Sequence, residues 1–228
     1  MKKPLVIFGT AEIASLAKFY FTHDSDYDVV AFTADDQYVG SDTYEGLPVV
    51  PFSEVTKKYP PETFEMHVAL SYMKLNQLRE EKYHQAKAEG YTLANYISTK
   101  ATTWPDLSVG DNCFILEDQT IQPTVKIGNN VMLWSGNHIG HGTHIGDHTY
   151  FASHIVVSGH CKIGQRCFFG VNATFKDFLT IGDDVFVAMD ASVTKDLPNG
   201  SVALGAQSTI FEAEDRRAQK IKKSYFKL

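Results

Sequence analysis

Large apolar residues recur at every sixth position over most of the second half of the chain: Val109, Ile115, Ile121, Ile127, Leu133, Ile139, Ile145, Phe151, Val157, Ile163, Phe169, Phe175, Ile181, Val187 and Val193. A period kept this strictly marks a repeat architecture. Two positions before most of them stand small or aliphatic residues, such as Val125, Val131, Thr143, Thr149, Cys161, Cys167, Ala173 and Ala191. Strand side chains alternate faces, so positions one and three of each hexad share a core while position two faces out. Glycine follows the aliphatic position at Gly110, Gly128, Gly140, Gly146, Gly164, Gly170 and Gly182, where a backbone without Cβ is expected to turn a corner. Short strands alternating with corners predict a parallel β-helix. Three hexads close an 18-residue triangular coil, and successive coils stack at roughly 4.8 Å. The frame reaches back to Ile97 and stops at Thr194-Lys195-Asp196-Leu197-Pro198.

The first ninety residues follow another rhythm. Leu5-Val6-Ile7-Phe8 reads as a buried strand, and Glu12 to Phe21 as a helix with Ile13, Leu16, Ala17 and Tyr20 inward. Asp28 to Phe32 and Met66 to Leu70 read as strands, and Lys74 to Glu89 as a polar surface helix. The Pro-rich stretch from Pro48 to Pro61 is expected to be a crossover loop. This order predicts a small parallel α/β domain, in which ligands sit beyond the carboxyl ends of the strands. Here those ends are Gly9-Thr10-Ala11, Asp35-Asp36 and Ser71-Tyr72. Only Gly9 survives of a Gly-x-Gly-x-x-Gly fingerprint, which argues against a nicotinamide cofactor. The acidic pair suits a ribose or a base, or merely a solvated turn.

Composition narrows the function. A formal charge of −6 over 228 residues argues against a general nucleic-acid binder, whose affinity comes from Lys and Arg neutralising phosphates. No apolar run approaches the roughly 18 residues that span a bilayer, and Met1-Lys2-Lys3-Pro4 leads straight into a strand, so a cytoplasmic protein is expected. Cys113, Cys161 and Cys167 all occupy position one of a hexad and read as small core residues, not as a disulfide framework or a zinc site.

Six of the nine histidines crowd into the repeat: His138, His141, His144, His148, His154 and His160. Imidazole is a good metal ligand. Yet His148, His154 and His160 fall at position six of three successive sides, which sends them to different edges of the prism; a site shared between subunits stays open. A single general base is the other reading. His141 lies at a corner with Gly159 eighteen residues later, one coil away, which sets a base beside an unobstructed backbone N–H. Acyl transfer needs that pair, one group for the nucleophile's proton and one for the oxyanion.

The hexapeptide run, with Asn137-His138-Ile139-Gly140-His141, Phe169-Gly170-Val171-Asn172 and Val193-Thr194-Lys195-Asp196-Leu197-Pro198 behind a small α/β domain, resembles the bacterial left-handed β-helix sugar acyltransferases. That family includes nucleotide-linked 4-amino-sugar N-acetyltransferases and sialic acid O-acetyltransferases. The resemblance implies an N-terminal Rossmann-like parallel sheet followed by a left-handed parallel β-helix, divided as residues 1–94, 95–205 and a basic, helical tail at 206–228. It implies acetyl-CoA as co-substrate, no metal, and a homotrimer with active sites between subunits. Carried over, His141 is the base and Gly159 the oxyanion amide; Tyr150, Gly159, Val171 and Met189 contact the CoA thioester arm; Gly9, Thr10, Ala11, Asp35, Asp36 and Ser71 hold the nucleotide-sugar.

Three departures stand out. Tyr150 replaces a histidine of close relatives, and Gly142 stands where many members carry an acidic neighbour of the base, leaving Asp147 or the next subunit to orient His141. The usual Gly-x-Pro-Ala ending is Gly205-Ala206-Gln207-Ser208. The activity implied is acetyl-CoA-dependent N-acetylation of a nucleotide-linked amino sugar for a surface glycan. Alternatives are sugar O-acetylation, a γ-carbonic-anhydrase-like metal lyase and a non-catalytic scaffold.

Overall fold

Outward position two of the repeat divides, eighteen residues at a time, into three columns of different character. In the computed structural model of the chain, which describes residues 2–227 and so leaves Met1 and Leu228 outside, each column becomes one face of a left-handed β-helix. The covered face carries Tyr96, Phe114, Met132, Tyr150, Phe168 and Phe186, each two-residue strand pairing in parallel with the strand eighteen residues on. The basic face carries Ser108, Lys126, His144, Lys162 and Thr180. The third face carries Thr120, His138, Val156, Thr174 and Ser192. Inside, positions one and three form one continuous core, in which all three cysteines are buried and free.

Corners form differently from the expectation. The backbone turns through positive φ at position six, as at Asn130 (54°), His148 (61°), His154 (60°), His160 (60°) and Asp184 (56°). Asn, Asp and His are the side chains that tolerate this region best, which accounts for much of the histidine density. The position-four glycines serve another purpose. A Cβ on Gly140 would lie 2.6 Å from the Gly159 nitrogen, so glycine there lets the next coil approach.

The N-terminal layer is a five-stranded sheet of order β3-β4-β2-β1-β5: β1 (Lys3–Phe8), β2 (Tyr27–Ala34), β3 (Thr43–Tyr44), β4 (Leu47–Pro51) and β5 (Glu65–Val68). Helices α1 (Glu12–His23) and α3 (Gln77–Ala88) flank it. The stretch from Pro48 to Pro61 is not a loop. It supplies β4, parallel to β2, and the short helix α2 (Val55–Lys58); neither proline breaks the pairing because Pro48 and Pro51 lie near the ends of the strand. Helix α3 starts later than Lys74 because Lys74, Leu75 and Asn76 turn through positive φ. That turn sends the Asn76 amide into the β-helix, where it donates to the Cys167 carbonyl at 2.9 Å.

One apolar cluster joins the two layers: Leu5, Ile7, Ala17 and Phe21 belong to it together with Tyr96, Phe114, Met132 and Tyr150 of the covered face, and Phe21 meets the Tyr96 ring at 5.6 Å. A polar latch lies beside it. Arg79 of α3 is 2% exposed and donates to the carbonyls of Asn130 and His148 and to Asn76 Oδ1. The basic stretch at the C-terminus ends in α4 (Arg216–Phe226), capped by the Asp215 side chain and burying only Ala218.

Burial makes the fold sensitive to acid. His67 lies wholly inside the N-terminal layer and His148 beneath α3 next to the Arg79 cation; burial first, and nearby guanidinium charge second, push both imidazoles down to about 4. Each is neutral when folded and binds a proton near pH 6.5 when unfolded. Stability is therefore present above pH 6.5 and lost as the pH falls towards 4. Urea midpoints measured from pH 7 to 4.5 are expected to fall steadily, and His148→Gln to flatten that decline; a midpoint independent of pH would contradict these buried neutral rings.

Candidate active site

Three hollows run in series from the N-terminal sheet to the β-helix. The first, of about 510 Å³, opens beyond the carboxyl ends of β1 and β2 and is lined by Gly9, Thr10, Ala11, Asp35, Tyr38 and Lys82 among others. Ala11, the N-cap of α1, lines this hollow, so the positive end of the helix dipole lies at its edge, an arrangement suited to phosphate. Asp35 is ion-paired at 2.8 Å with Lys82, a buried lysine that pattern reading of α3 had placed simply on a surface helix. Asp36 points elsewhere: its carboxylate accepts from the Ser53 hydroxyl at 2.6 Å and the Ser53 N–H at 3.2 Å.

Ser71 and Tyr72 line the second hollow together with Ala11, Trp134 and Tyr150. The third, of about 500 Å³, is apolar and lies over the covered face, lined by Tyr72, Trp134, Tyr150, Phe168, Val171 and Met189 among others. Tyr150 stacks on Phe168 at 5.2 Å and 15°, meets Tyr72 edge-on at 5.2 Å and accepts from the Trp134 indole N–H. Burial pushes its phenol up to about 12, so it stays protonated. Val171 and Met189 stack one coil apart on the corner between the covered and third faces, and both are exposed.

His141 occupies a different corner, between the third and basic faces. Its exposed imidazole packs on Gly159, where a Cβ would lie 2.8 Å from the ring's Cε1 and 3.0 Å from Nε2. Among the described residues no acceptor takes the Gly159 N–H. Asp147 does not orient the ring. It sits on the next corner, where Oδ1 accepts from the Asn129 N–H at 2.7 Å. Gln122, which sequence reading passed over, approaches instead: Oε1 lies 2.9 Å from His141 N and 3.0 Å from Nδ1. One chain thus brings His141 to Gly159, and Tyr150 to Val171 and Met189, but leaves the two groups separated by the third face.

His148, His154 and His160 do go to three different corners. A convergent set of metal-ligand atoms occurs elsewhere, Glu80, His84 and His148 within 4.8 Å of one another. Its hydrogen bonds oppose coordination. Asn130 Oδ1 accepts from Arg79 and Asn112, so its Nδ2 must donate to His148 Nδ1 at 2.9 Å. The proton then sits on His148 Nε2, facing Glu80 at 3.7 Å, and that nitrogen has no lone pair to offer. Glu80 also accepts from Arg166 at 3.2 Å, and the trio reads as part of the latch between layers.

Residues 124–159 match the family model of the bacterial transferase hexapeptide (six repeats), and residues 161–195 that of the hexapeptide repeat of succinyl-transferase. The β-helix is a hexapeptide-repeat domain. Beyond that domain the chain is similar to PerB from Caulobacter crescentus, solved in complex with CoA and GDP-perosamine: TM-score 0.78, 23% identity, over 92% of this chain and 97% of that one. It is also similar to the acetyltransferase domain of PglB from Neisseria gonorrhoeae FA1090 in complex with acetyl coenzyme A, with TM-score 0.79 and 19% identity over 92% and 100%. WeeI from Acinetobacter baumannii AYE follows at 0.76 and 22%, again over 92% and 100%. At these identities the likeness is one of fold, hexapeptide-repeat domain and N-terminal layer together. No curated protein matches the chain in sequence.

Proposed function

We propose that this chain is an acetyl-CoA-dependent N-acetyltransferase acting on a nucleotide-linked amino sugar. The observation that carries the reading is the His141 imidazole packed on Gly159, whose N–H has no acceptor among the described residues, on the corner of a hexapeptide-repeat domain. The CoA and GDP-perosamine bound by PerB and the acetyl coenzyme A bound by PglB support it. In this mechanism the neutral sugar amine attacks the thioester carbonyl. His141 takes its proton as the C–N bond forms, the Gly159 N–H donates to the developing oxyanion, and CoA leaves as the thiolate. The nucleotide occupies the hollow at Gly9, Thr10, Ala11 and Asp35, with the sugar directed past Ser71.

Because His141 and the Tyr150–Val171–Met189 cleft lie on different corners of one chain, the site is completed by a second copy. A homotrimer is the assembly we assign, with the CoA arm running along Val171 and Met189 of one subunit towards His141 of its neighbour. No helix of the described residues is long and apolar enough to cross a membrane, and we place the enzyme in the cytoplasm, where acetyl-CoA and nucleotide-sugars occur.

Thiol release from acetyl-CoA with 4-amino-4,6-dideoxy sugars on UDP, GDP and dTDP, and with their 4-hydroxy counterparts, tests the reading. Release with an amino sugar alone is expected; release only with a hydroxyl acceptor would make the chain an O-acetyltransferase, and none with any acceptor would refute both. Gly159→Ala is expected to lower turnover roughly 100-fold with little change in melting temperature. The new methyl displaces the ring by the order of an ångström, and its backbone is not in the left-handed region.

A further inference from the structure

The hydrogen bonds around His141 determine which ring nitrogen carries the proton. A backbone N–H can only donate, so the atom of the Gln122 side chain lying 2.9 Å from His141 N must be the amide oxygen. The same oxygen lies 3.0 Å from His141 Nδ1. Two acceptors do not approach at this distance without a proton between them, so the neutral ring holds its hydrogen on Nδ1. The lone pair is then on Nε2, the nearer of the two ring nitrogens to Gly159, where a Cβ would lie 3.0 Å from Nε2 and 3.2 Å from Nδ1. Free histidine prefers the opposite tautomer, and the protein reverses that preference with one neutral acceptor.

Gly142 explains why the acceptor comes from Gln122. Its φ is +67°, and a Cβ there would lie 2.5 Å from His160 Nδ1. The His160 ring covers that position, meeting His141 edge-on at 4.8 Å and stacking on Phe178 at 5.0 Å. A carboxylate following the base has no room. The coil beneath supplies the contact instead, with Thr124 Oγ1 accepting from the Gly142 N–H at 3.0 Å beside Gln122.

We infer that Gln122 is the positioning residue of His141: its carbonyl oxygen holds Nδ1–H and presents Nε2 as the base. The tautomer follows from geometry alone, whereas its effect on turnover rests on the proposed function. In protein labelled with ¹⁵N-histidine, the His141 signals, assigned by their loss in His141→Asn, are expected at high pH to show protonated Nδ1 and unprotonated Nε2. The reverse pattern overturns the inference. If the pattern holds while no acceptor yields thiol, the N-acetyltransferase reading fails and the tautomer set by Gln122 stands.

Gln122→Leu is expected to return the ring to the Nε2–H form and lower kcat roughly 10–100-fold, with the KM for acetyl-CoA unchanged. Gln122→Glu keeps an acceptor, so it is expected to restore kcat while moving the acid limb of the kcat profile up by about one pH unit, because a carboxylate favours the charged ring. Full kcat in Gln122→Leu, or an unmoved acid limb in Gln122→Glu, overturns the inference. The second holds even if the leucine variant fails to fold.

Discussion

His141→Asn is expected to lower kcat by about 10²–10⁴-fold, the range typical of losing a general base, while CoA affinity stays within about twofold. The ring is exposed at a corner and belongs to none of the apolar clusters of the described residues, so the fold has no reason to respond. Asparagine keeps a polar side chain near Gly159 but cannot take a proton. In the assembly proposed here the CoA arm is held along Val171 and Met189 of the neighbouring copy, and only its thioester end reaches the corner of His141 and Gly159. Paired measurements of thiol release and CoA binding decide the matter: unchanged turnover would remove His141 from the mechanism, and lost CoA binding would move it from base to binding residue.

Arg79→Ala is expected to be the most destabilising single change in the polar latch, at about 3–5 kcal/mol. Among the described residues the guanidinium has no carboxylate partner; it is held by carbonyl oxygens of Asn130, His148 and Asn76, and its Nε–H has no acceptor. Burial pulls its pKa down to about 10, which still leaves it charged at neutral pH. Alanine would strip these buried oxygens of their donors and leave a cavity between α3 and the corner that carries Asn130 and His148. A fall in melting temperature of roughly 10 °C is expected for a chain of this size. A shift within about 2 °C would mean that water enters and satisfies the oxygens.

The β-helix was legible because its period writes every inward position into the chain at a fixed interval. The covered face was equally legible and went unread: Tyr96, Phe114, Met132, Tyr150, Phe168 and Phe186 are bulky residues at outward positions eighteen apart, and outward bulk must be buried by something. Gln122 lies one coil and one residue before His141, so the frame placed it within reach, but only side-chain conformation decides whether the reach is used. Arg79 and Lys82 could not be read in this way. Their partners lie at distances along the chain that no period relates, and a helix carrying both resembles any charged surface helix. The strand at Leu47–Pro51 was hidden by prolines, which mark loops unless they stand near strand ends. The separation of His141 from Tyr150 by a whole face was implicit in the three-hexad coil, since the two residues sit nine positions apart, half a turn of the prism.

The N-terminal layer grips the solenoid unevenly. Its apolar contacts reach Tyr96, Phe114, Met132, Tyr150 and, at their edge, Phe168, but not Phe186. In a stacked array each coil leans only on its neighbours, so a coil without lateral support frays before the rest. Met189 stands on that unsupported coil and Val171 on the last one gripped. An occupant seated against both would act as an external brace, tightening the end of the array that the chain by itself leaves loosest.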